Sequence, residues 1–500
     1  MRATLPVLRR SAPPPTILGP NGKPFQRSAP DHPTVLSATY DSAQTTDLNS
    51  RHWAATDALS ADQANSYDIR KVLRERARYE TGNNAYLSGI VDTYASDVVG
   101  VGPRLQMIGG DPGLNREIER AWNDWTRATK FGRKLRTVQR ARTVDGEGFA
   151  VMQTNPRVKN AVKLDLKLIE CDRVHTPQIM PAPDNIDGVI IDEYDNAVTY
   201  EMLRRHPGAL LAFNYEDDVD VIDARYVLHW FAADRPEQHR GVPEIMASLP
   251  LCALLRRYTL AVVQSAETAA SFTALLYSDA PPNGEAADIE AFDAVEIERN
   301  MMTTMPQGWK MGQFKPEQPT DNYPDFKGEI ISEAGRPISM PRNIATCDSS
   351  KYNFASGRLD HSTYFKRVVT VQIDQSIEIV DPVWEVWWDE ACRVNRRWPS
   401  HDGRHGWLWQ GRDPIDPREA RAESERLSSG ATTLPQLYSR RGEDWEEEME
   451  KGAAALGIGM QEYQVLLRQK LFGNVPQGEV QPVDASWAEE AVEDALANTK

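Results

Sequence analysis

The sequence contains few cysteines, and none of them is placed to share a bond or a metal ion. Cys171, Cys252, Cys347 and Cys392 are far apart and form no CxxC pair. This spacing predicts neither a disulfide framework nor a zinc site. Four scattered thiols are typical of a protein in a reducing compartment.

Long apolar runs are missing as well. The mean hydropathy is -0.54, and no unbroken apolar run reaches the roughly 18 residues that an ordinary transmembrane helix needs. Residues 1–30 contain basic side chains but no apolar stretch of the kind found in a secretory signal. We therefore predict a protein that is made and kept in the cytoplasm, with no membrane partner.

The common motifs of catalysis and nucleotide binding do not occur. The patterns GxxxxGK[ST], GxSxG, HExxH and GxGxxG are all absent. One segment, DRPEQHRG, brings together Asp234, Glu237 and His239, as a metal-dependent nuclease or hydrolase would require. A solvated turn before a long helix explains this segment better, because no second carboxylate cluster with fixed spacing accompanies it. We predict no catalytic residue, no metal ligand and no cofactor.

Positive charge is in deficit. The chain has 57 Lys and Arg against 73 Asp and Glu, for a net charge of -16. Proteins that coat nucleic acid by neutralising its phosphates present basic surfaces. The charge balance argues against such a coat, but it is compatible with a surface past which nucleic acid slides.

The spacing of apolar residues predicts an α+β fold that is predominantly helical. Helical spacing begins at Asp68, with Gly82 as an expected break, and begins again after Asn115. Between Phe149 and His229 the period changes to two, with turn signals between the runs, which predicts a mainly antiparallel sheet. His229 is expected to be a packed core or interface histidine.

A long helix is predicted over residues 244–277. Its apolar positions keep helical spacing, and a helix of about 34 residues would reach about 50 Å. Ala266, Ala269 and Ala270 are small, so a neighbouring helix could come close to this part of it. A buried core helix is the alternative.

A second long helix is predicted after Phe354. Pro382 lacks a backbone donor and should kink or break this helix near Asp381. The Trp cluster that follows, at 384, 387 and 388, has helical spacing and is expected to form core or a subunit contact. Beyond residue 411 the sequence predicts one or two charged helices.

Several segments match one family in order and spacing. They include NNAYLSGIVDTYASDVVGVGPRLQ, WNDWTRATKFG, TVDGEGFAVMQ and GVIIDEYDNAVTYEML. The most distinctive is VLHWFAADRPEQHRGVPEIMASL, where H-x-F precedes R-P-x-Q-x-R-G-x-P. A further match begins at Asp348, with Phe354 and Gly357 where the family has Tyr and Ala. On these segments, from about residue 80 to 450, the chain resembles the lambda-type portal proteins of tailed bacteriophages.

The resemblance implies a ring, usually of about twelve copies, with wing, stem, clip and crown parts around a central channel. On this chain the implied parts are a flexible N-terminal arm over 1–50, a wing over 51–243, a stem helix over 244–277, a clip over 278–325, a returning stem helix over 326–338, a tunnel loop over 339–353, a long wing helix over 354–410, crown or C-terminal helices over 411–473 and an acidic tail over 474–500.

The tunnel loop is the predicted DNA-channel segment. Small polar residues could hang into a channel and shift as a duplex passes, because they offer no apolar surface that would stick. Lys351, Arg342 and Arg358 either touch phosphates or pair with Asp348 and Asp360, and the sequence leaves both possibilities open. The predicted channel residues are Arg342, Asn343, Asp348, Ser349, Ser350, Lys351, Tyr352 and Asn353.

The implied function is a channel at one capsid vertex, through which double-stranded DNA is packaged and ejected. The implied partners are further copies of the chain, DNA bound without sequence preference, the terminase motor, the major capsid or scaffold protein, and head-completion or tail adaptor proteins. The implied location is the virion, after assembly in the host bacterial cytoplasm. ATP hydrolysed by the motor would supply the energy, in agreement with the missing phosphate loop. A nuclease and a non-viral ring protein are the alternatives.

Overall fold

The structure is a computed structural model of the chain. It describes residues 58–176, 182, 184–209, 219–271, 275–278, 309–312, 323–350, 352–398, 401, 403–411 and 417–472. The elements named below belong to one unit, Leu59–Lys500. The predicted arm over 1–50, the predicted tail over 474–500 and most of the predicted clip lie outside the described residues.

Helices dominate the described residues, as predicted. In chain order they are α1 (Ala61–Ala64), α2 (Tyr67–Asn83), α3 (Ala85–Val99), α4 (Pro112–Thr129), α5 (Phe131–Asp145), α6 (Leu249–Ser271), α7 (Tyr323–Gly335), α8 (Arg342–Thr346), α9 (Phe354–Gln375), α10 (Asp381–Val394), α11 (Pro417–Ser428), α12 (Leu434–Arg441), α13 (Trp445–Leu456) and α14 (Met460–Phe472).

The strands form small antiparallel sheets. They are β1 (Arg104–Met107), β2 (Glu147–Thr154), β3 (Leu164–Ile169), β4 (Asn185–Ile186), β5 (Val189–Ile191), β6 (Ala197–Leu203), β7 (Val219–Asp223), β8 (Val227–Phe231), β9 (Leu275–Ser278), β10 (Trp309–Gly312) and β11 (His405–Leu408). The order β3-β2-β8 makes one sheet, β4-β5-β6-β7 makes another, and β1 with β11 and β9 with β10 are pairs. The predicted antiparallel sheet between Phe149 and His229 is confirmed, and Phe149 lies opposite both Ile169 and His229.

The early helices follow their apolar faces, but the first break is not at the predicted glycine. Gly82 lies inside α2, and the chain breaks at Asn84, whose Oδ1 accepts from the backbone N of Tyr86 and Leu87. An Asn cap satisfies donors that a helix start leaves open, so it decides the boundary. The amphipathic helix expected after Asn115 is α4, which begins earlier, at Pro112.

The long helix predicted over 244–277 is shorter than expected. A turn of 3-10 helix over Met246–Ser248 leads into α6, which ends at Ser271. Leu275–Ser278 is strand β9, in antiparallel register with β10. The helix that returns begins at Tyr323, three residues before the predicted start, and ends at Gly335. Apolar spacing did not separate the helix from the strand, because both patterns fit a short apolar run.

The second long helix changes its hydrogen bonding just before Pro382, where a kink or break was predicted. A π-helical turn, Ser376–Val380, lies between α9 and α10, and Pro382 falls in the first turn of α10. Proline cannot donate a backbone hydrogen bond, and π-helical turns are one way in which a helix accommodates such a defect. The predicted helix region 354–410 also ends early, since α10 stops at Val394 and β11 pairs with β1.

The described residues 417–472 form four helices, α11 to α14, where one or two were expected. Gly430, Gly442 and Gly457 adopt positive φ angles between or at the ends of these helices. Glycine enters this region of φ without the penalty of a side chain, so each position ends a helix.

The main core is aromatic. Trp122 lies 5.5 Å from Trp384 and 5.2 Å from Trp387, measured between ring centroids. Trp125 and Phe131 complete the centre of this cluster. The predicted Trp cluster on α10 is therefore core at positions 384 and 387, and Trp388 packs partly buried against it.

Candidate subunit interface and channel segment

The predicted channel segment begins with a helix, so the prediction of a loop over all of 339–353 is wrong for Arg342–Thr346. Pro341 is the N-cap of α8, and its carbonyl accepts from the backbone N of Ile344 and Ala345 at 3.1 and 3.0 Å. Cys347 ends the helix in the left-handed region, with φ of 53°. One turn of helix satisfies backbone groups that a loop would leave to water.

Asn343 faces protein. Its side chain is buried, and its Nδ2 donates to Nε2 of His361 on α9 across 2.8 Å. This contact ties α8 to the start of the long helix. In one copy of the chain, Asn343 is therefore a packing residue.

Arg342 is held by α7. Its guanidinium forms an ion pair with Glu329 and lies 4.0 Å from Asp325. A Cβ on Gly328 would lie 2.3 Å from this guanidinium, so the glycine leaves room for the contact. The carboxylates that pair with Arg342 thus belong to α7, and they are neither Asp348 nor Asp360.

The tip of the segment is small and polar. Its exposed polar residues are Asp348, Ser349, Ser350 and Asn353, and Tyr352 is half-buried. Oδ1 of Asp348 accepts from the backbone N of Ser350 at 2.9 Å, and Oδ1 of Asn353 caps α9 by accepting from Ser356 N at 2.8 Å. Lys351 lies outside the described residues. The tip is therefore a short polar connection fixed by a helix at each end.

Helices α6 and α7 lie side by side. The ring of Tyr258 on α6 lies 5.8 Å from that of Tyr323 and 5.4 Å from that of Phe326 on α7. Oγ of Ser248, just before α6, donates to the carbonyl oxygen of Ala334 across 2.8 Å. These contacts cover one strip of α6.

Much of the remaining surface of α6 is open. Leu254, Leu260 and Val263 are exposed, with values of 58%, 56% and 49%. Ala266 is exposed as well, whereas the side chains of Ala269 and Ala270 lie outside the described part of the chain. A core helix would bury these positions, so α6 is not a core helix of the single chain.

The same helix region has a membrane-like composition. Among the described residues, Met246–Glu267 is long and apolar enough to cross a membrane by length and composition, with a mean hydropathy of 1.3. Arg256 and Arg257 interrupt the apolar residues of this region, so its sequence contains no unbroken apolar run of about 18 residues. A single helix of this kind is weak support for a membrane span. Only 22% of its apolar stretch is buried within the chain.

Helix α9 is apolar on two opposite sides. Tyr364, Val368 and Val371 face the core and are buried. The other side carries a second apolar row that continues into the π-helical turn after α9, and we call this row the outer stripe: Leu359, Val369, Ile373 and Ile377, exposed by 72%, 50%, 53% and 61%. A surface helix normally has one apolar face, and a second one marks a contact surface.

The R-P-x-Q-x-R-G segment holds a buried ion pair. Arg240 and Glu147 are both 0% exposed, and Nη2 of Arg240 donates to Oε1 of Glu147 across 2.6 Å. Nε2 of His229 lies 3.2 Å from Oε2 of the same carboxylate. Burial alone would raise the pKa of Glu147, but Arg240 and His229 outweigh it and hold the pKa well below its usual range. His229 is the packed histidine that was predicted.

Two glycines allow this pair to form. A Cβ on Gly241 would lie 2.1 Å from the carbonyl oxygen of Gly146, and Gly146 itself has φ of 93°. The backbone N of Gly241 donates to Glu147 Oε2 at 3.1 Å. The two backbone segments can therefore pass close together only without side chains at these positions.

The residues of the predicted nuclease alternative do not converge. Asp234 and Glu237 are exposed. Nδ1 of His239 lies 2.9 Å from Oδ2 of Asp62, and Gln238 Oε1 accepts from the backbone N of Asp234. In the part of the chain that the structure describes, no group of three or more His, Cys, Asp or Glu residues could hold a metal ion. The segment is a turn closed by the side chain of Gln238, in agreement with the solvated turn that the sequence favours over a nuclease site.

Around Arg240 the structure shows further buried ionic contacts that the sequence did not predict. Arg70 on α2 pairs with Asp187, and Arg240 Nη1 lies 3.3 Å from the same carboxylate. The backbone of Asp187 has φ of 48°. The only sequence signal was the R-P-x-Q-x-R-G segment itself, since Glu147 and Asp187 occur in otherwise ordinary strand and turn sequences.

Exposed apolar faces on two long helices, together with a polar segment between them, are typical of a subunit of a larger assembly. The chain belongs to the lambda family of phage portal proteins, whose model matches residues 47–372. The "Probable portal protein" of Halomonas phage phiHAP-1 is 24% identical over 487 residues, which cover 88% of this chain and 90% of the relative.

Solved structures of a gene transfer agent particle also resemble the chain. The neck of the native particle, computed with C12 symmetry, has a TM-score of 0.39 at 12% identity and covers 73% of this chain and 90% of its own. A chain of the native virion has a TM-score of 0.40 at 10% identity, covering 77% of this chain and 93% of its own.

Proposed function

We propose that about twelve copies of this chain form a ring at one vertex of a phage capsid, and that double-stranded DNA is packaged and ejected through its central channel. The outer stripe of α9 carries this proposal. Its four apolar side chains would cost free energy if they stayed in water, and a neighbouring copy in a closed ring would cover them. The open surface of α6 adds a second region that a neighbour would cover.

The named parts of such a ring are also proposals. Helices α6 and α7 would be the stem, with Ala266, Ala269 and Ala270 on the helix that meets a neighbour. The pair β9–β10 would belong to the clip, and α11 to α14 to the crown. The elements from α2 to β8, with α9 and α10, would form the wing.

The segment from Arg342 to Asn353 would line the channel. Among its described residues, Asp348, Ser349, Ser350 and Asn353 at the tip have the exposure that contact with DNA requires, whereas Arg342 and Asn343 would fix its base. The negative charge of the chain would help transport, because a wall that repels phosphate avoids tight backbone binding.

The partners follow from this role. The terminase motor would dock during packaging, the major capsid or scaffold protein would surround the ring, and head-completion or tail adaptors would bind afterwards. The ring would assemble in the host bacterial cytoplasm and remain in the virion. We propose no catalytic activity for the chain.

The first test is the native mass of the full-length protein, by light scattering with negative-stain images. We expect rings of about twelve 56.2 kDa chains with a central hole. A protein that stays monomeric or dimeric at micromolar concentration, under conditions where its helix content is intact, would contradict the proposal.

A further inference from the structure

Three cations lie at the corner between α4 and α5. Arg127, Lys130 and Arg133 are exposed and three residues apart. Lys130 turns the chain from one helix to the next, with φ of 56°. None of these three side chains has an ion-pair or hydrogen-bond partner within the described ranges. The corner therefore presents uncompensated positive charge.

Three more cations belong to the hairpin of β2 and β3. Arg157 and Lys159 are exposed in its turn, and Lys167 is exposed on β3. Their side chains likewise lack a partner in the part of the chain that is described. The turn from residue 155 to 163 contains no acidic residue.

Tertiary contacts bring the corner and the hairpin together. Nε1 of Trp125 on α4 donates to the carbonyl oxygen of Leu164 across 2.9 Å. Nζ of Lys134 on α5 donates to the carbonyl oxygen of Leu166 across 2.8 Å and pairs with Asp165. Lys167 lies on the same side of β3 as Asp165, because side chains alternate along a strand. We call the resulting surface the basic surface: Arg127, Lys130, Arg133, Arg157, Lys159 and Lys167.

The carboxylates on and beside these elements that keep their charge are fewer than the six cations, so they offset only part of the positive charge. Asp165 is already paired with Lys134. The two oxygens of Glu390 accept from the backbone N of Lys163 and Leu164 at 2.6 and 3.0 Å, and since backbone amides are neutral donors this carboxylate keeps its negative charge. Asp124 on α4 is exposed, and Glu117 on the same helix accepts from the neutral side chains of Asn395 and Trp398, so both carboxylates also keep their charge. The surface stays positive in a chain whose net charge is -16.

The surface also lacks an apolar anchor. Among the described residues between Ile108 and Tyr194, no large hydrophobic side chain is exposed. Protein interfaces are usually centred on buried aromatic or aliphatic anchors, whereas contacts with a nucleic-acid backbone need little more than well-placed cations. The chemistry fits a polyanionic backbone better than a folded protein partner.

We propose that the basic surface binds the phosphate backbone of double-stranded DNA without reading its sequence. Phosphates follow one another along a strand at a spacing that several long cationic side chains on two adjacent elements can match. This goes beyond the proposed channel, because α4, α5 and the β2–β3 hairpin are not part of the segment from Arg342 to Asn353. Neither proposal requires the other.

The test measures binding of a fluorescent mixed-sequence duplex of about 30 base pairs to the full-length protein, from 50 to 200 mM salt. Two variants each remove three charges from the basic surface: R127Q/K130Q/R133Q and R157Q/K159Q/K167Q. The matched control, R421Q/R426Q/R440Q, removes three exposed charges from α11 and α12. Native mass and circular dichroism on the same samples show whether each variant assembles and folds.

The slope of log K against log salt is negative, and we expect each basic-surface variant to bring it closer to zero by about 2 to 3. Binding at 50 mM salt should weaken about tenfold or more. The control should bind as the parent does. Equal losses in all three variants, or none, would overturn the proposal, as would binding of polyglutamate with no binding of the duplex. Rings of normal mass in these samples would leave the channel proposal standing even if DNA binding were unchanged.

Discussion

Glu147 on β2 and Arg240 after β8 form an ion pair in which neither side chain is exposed, although they lie 93 residues apart in the chain. Such a pair adds little net stability over an apolar pair of equal volume, but breaking it leaves one charge buried without compensation. It therefore fixes how the loop before α6 sits on the sheet, and with it the direction in which α6 begins.

Replacing one member of this pair should be more damaging than replacing both. We expect Glu147→Leu or Arg240→Met to lower the free energy of unfolding by about 3–5 kcal/mol, because each leaves a buried charge without its partner. The double variant E147L/R240M should recover much of that loss. Urea denaturation of the three variants measures this, and a double variant as weak as the sum of the singles would contradict the interpretation.

The close backbone contact at Gly241 predicts a contrast between two glycine substitutions. Gly241→Ala should destabilise the fold, since its Cβ would lie 2.1 Å from a backbone oxygen. Gly82→Ala should stabilise α2 by about 0.5–1 kcal/mol, because no atom lies within 4 Å of the added methyl group and alanine is the better helix former. The melting temperatures of the two variants measure this contrast. Equal shifts of the same sign for Gly241→Ala and Gly82→Ala would contradict the close contact at Gly241.

The two sides of α9 should respond differently to polar substitution. The triple variant V369S/I373S/I377S should abolish or weaken the ring while the helix content stays normal, because each side chain would lose about 1.5–3 kcal/mol of burial at a subunit contact. Val371→Ser, on the buried side, should lower the stability of the single chain by about 2–4 kcal/mol. Sedimentation and circular dichroism separate the effects; rings of full size from the triple variant would show that the stripe is not a contact.

The tip of the proposed channel segment should matter for DNA and not for assembly. Deleting residues 349–352 should leave ring formation intact, because the packing contacts of Arg342 and Asn343 are retained. Packaging or retention of DNA in an assembly reaction should fall. Unchanged packaging by rings of normal mass would rule out the channel role of the tip, and loss of the rings would show that the tip is part of the fold.

His175 should make stability depend on pH. Burial, with Arg240 and Arg70 nearby, lowers its pKa from 6.5 to about 4. Asp187 Oδ1 lies 2.5 Å from Nδ1 of His175 and acts in the opposite direction, but its carboxylate is already paired with Arg70 and Arg240. Since the unfolded chain takes up the proton first, stability should fall as pH decreases from about 6.5 to 4, by up to about 3 kcal/mol, and should be unaffected above this window. His175→Gln should make the free energy of unfolding nearly independent of pH between about 4 and 6.5. At pH 7.5 His175 is neutral, so the difference in stability between the two proteins there measures only the packing lost in the variant. If the free energies of unfolding of the two proteins changed with pH in parallel, His175 would not be the group responsible.

Local patterns found much of the framework. The apolar rows of α4, α6 and α9 and the alternation in β2, β3, β6 and β8 were all visible, because helix and strand periods depend on neighbours a few residues apart. Boundaries were less certain. Asn84 rather than Gly82 ends α2, and Pro341 starts a helix inside the predicted loop, because single caps decide such points.

The sequence by itself determined the family, the helical character and the polar nature of the segment before α9, since ordered motifs and short-range spacing carry that information. Only the tertiary structure decided which side chains lose their water. It pairs Glu147 with Arg240, binds Arg342 to α7, and joins Lys134 on α5 to Leu166 on β3. Burial and partner choice depend on elements that are distant in the chain, and no local pattern records them.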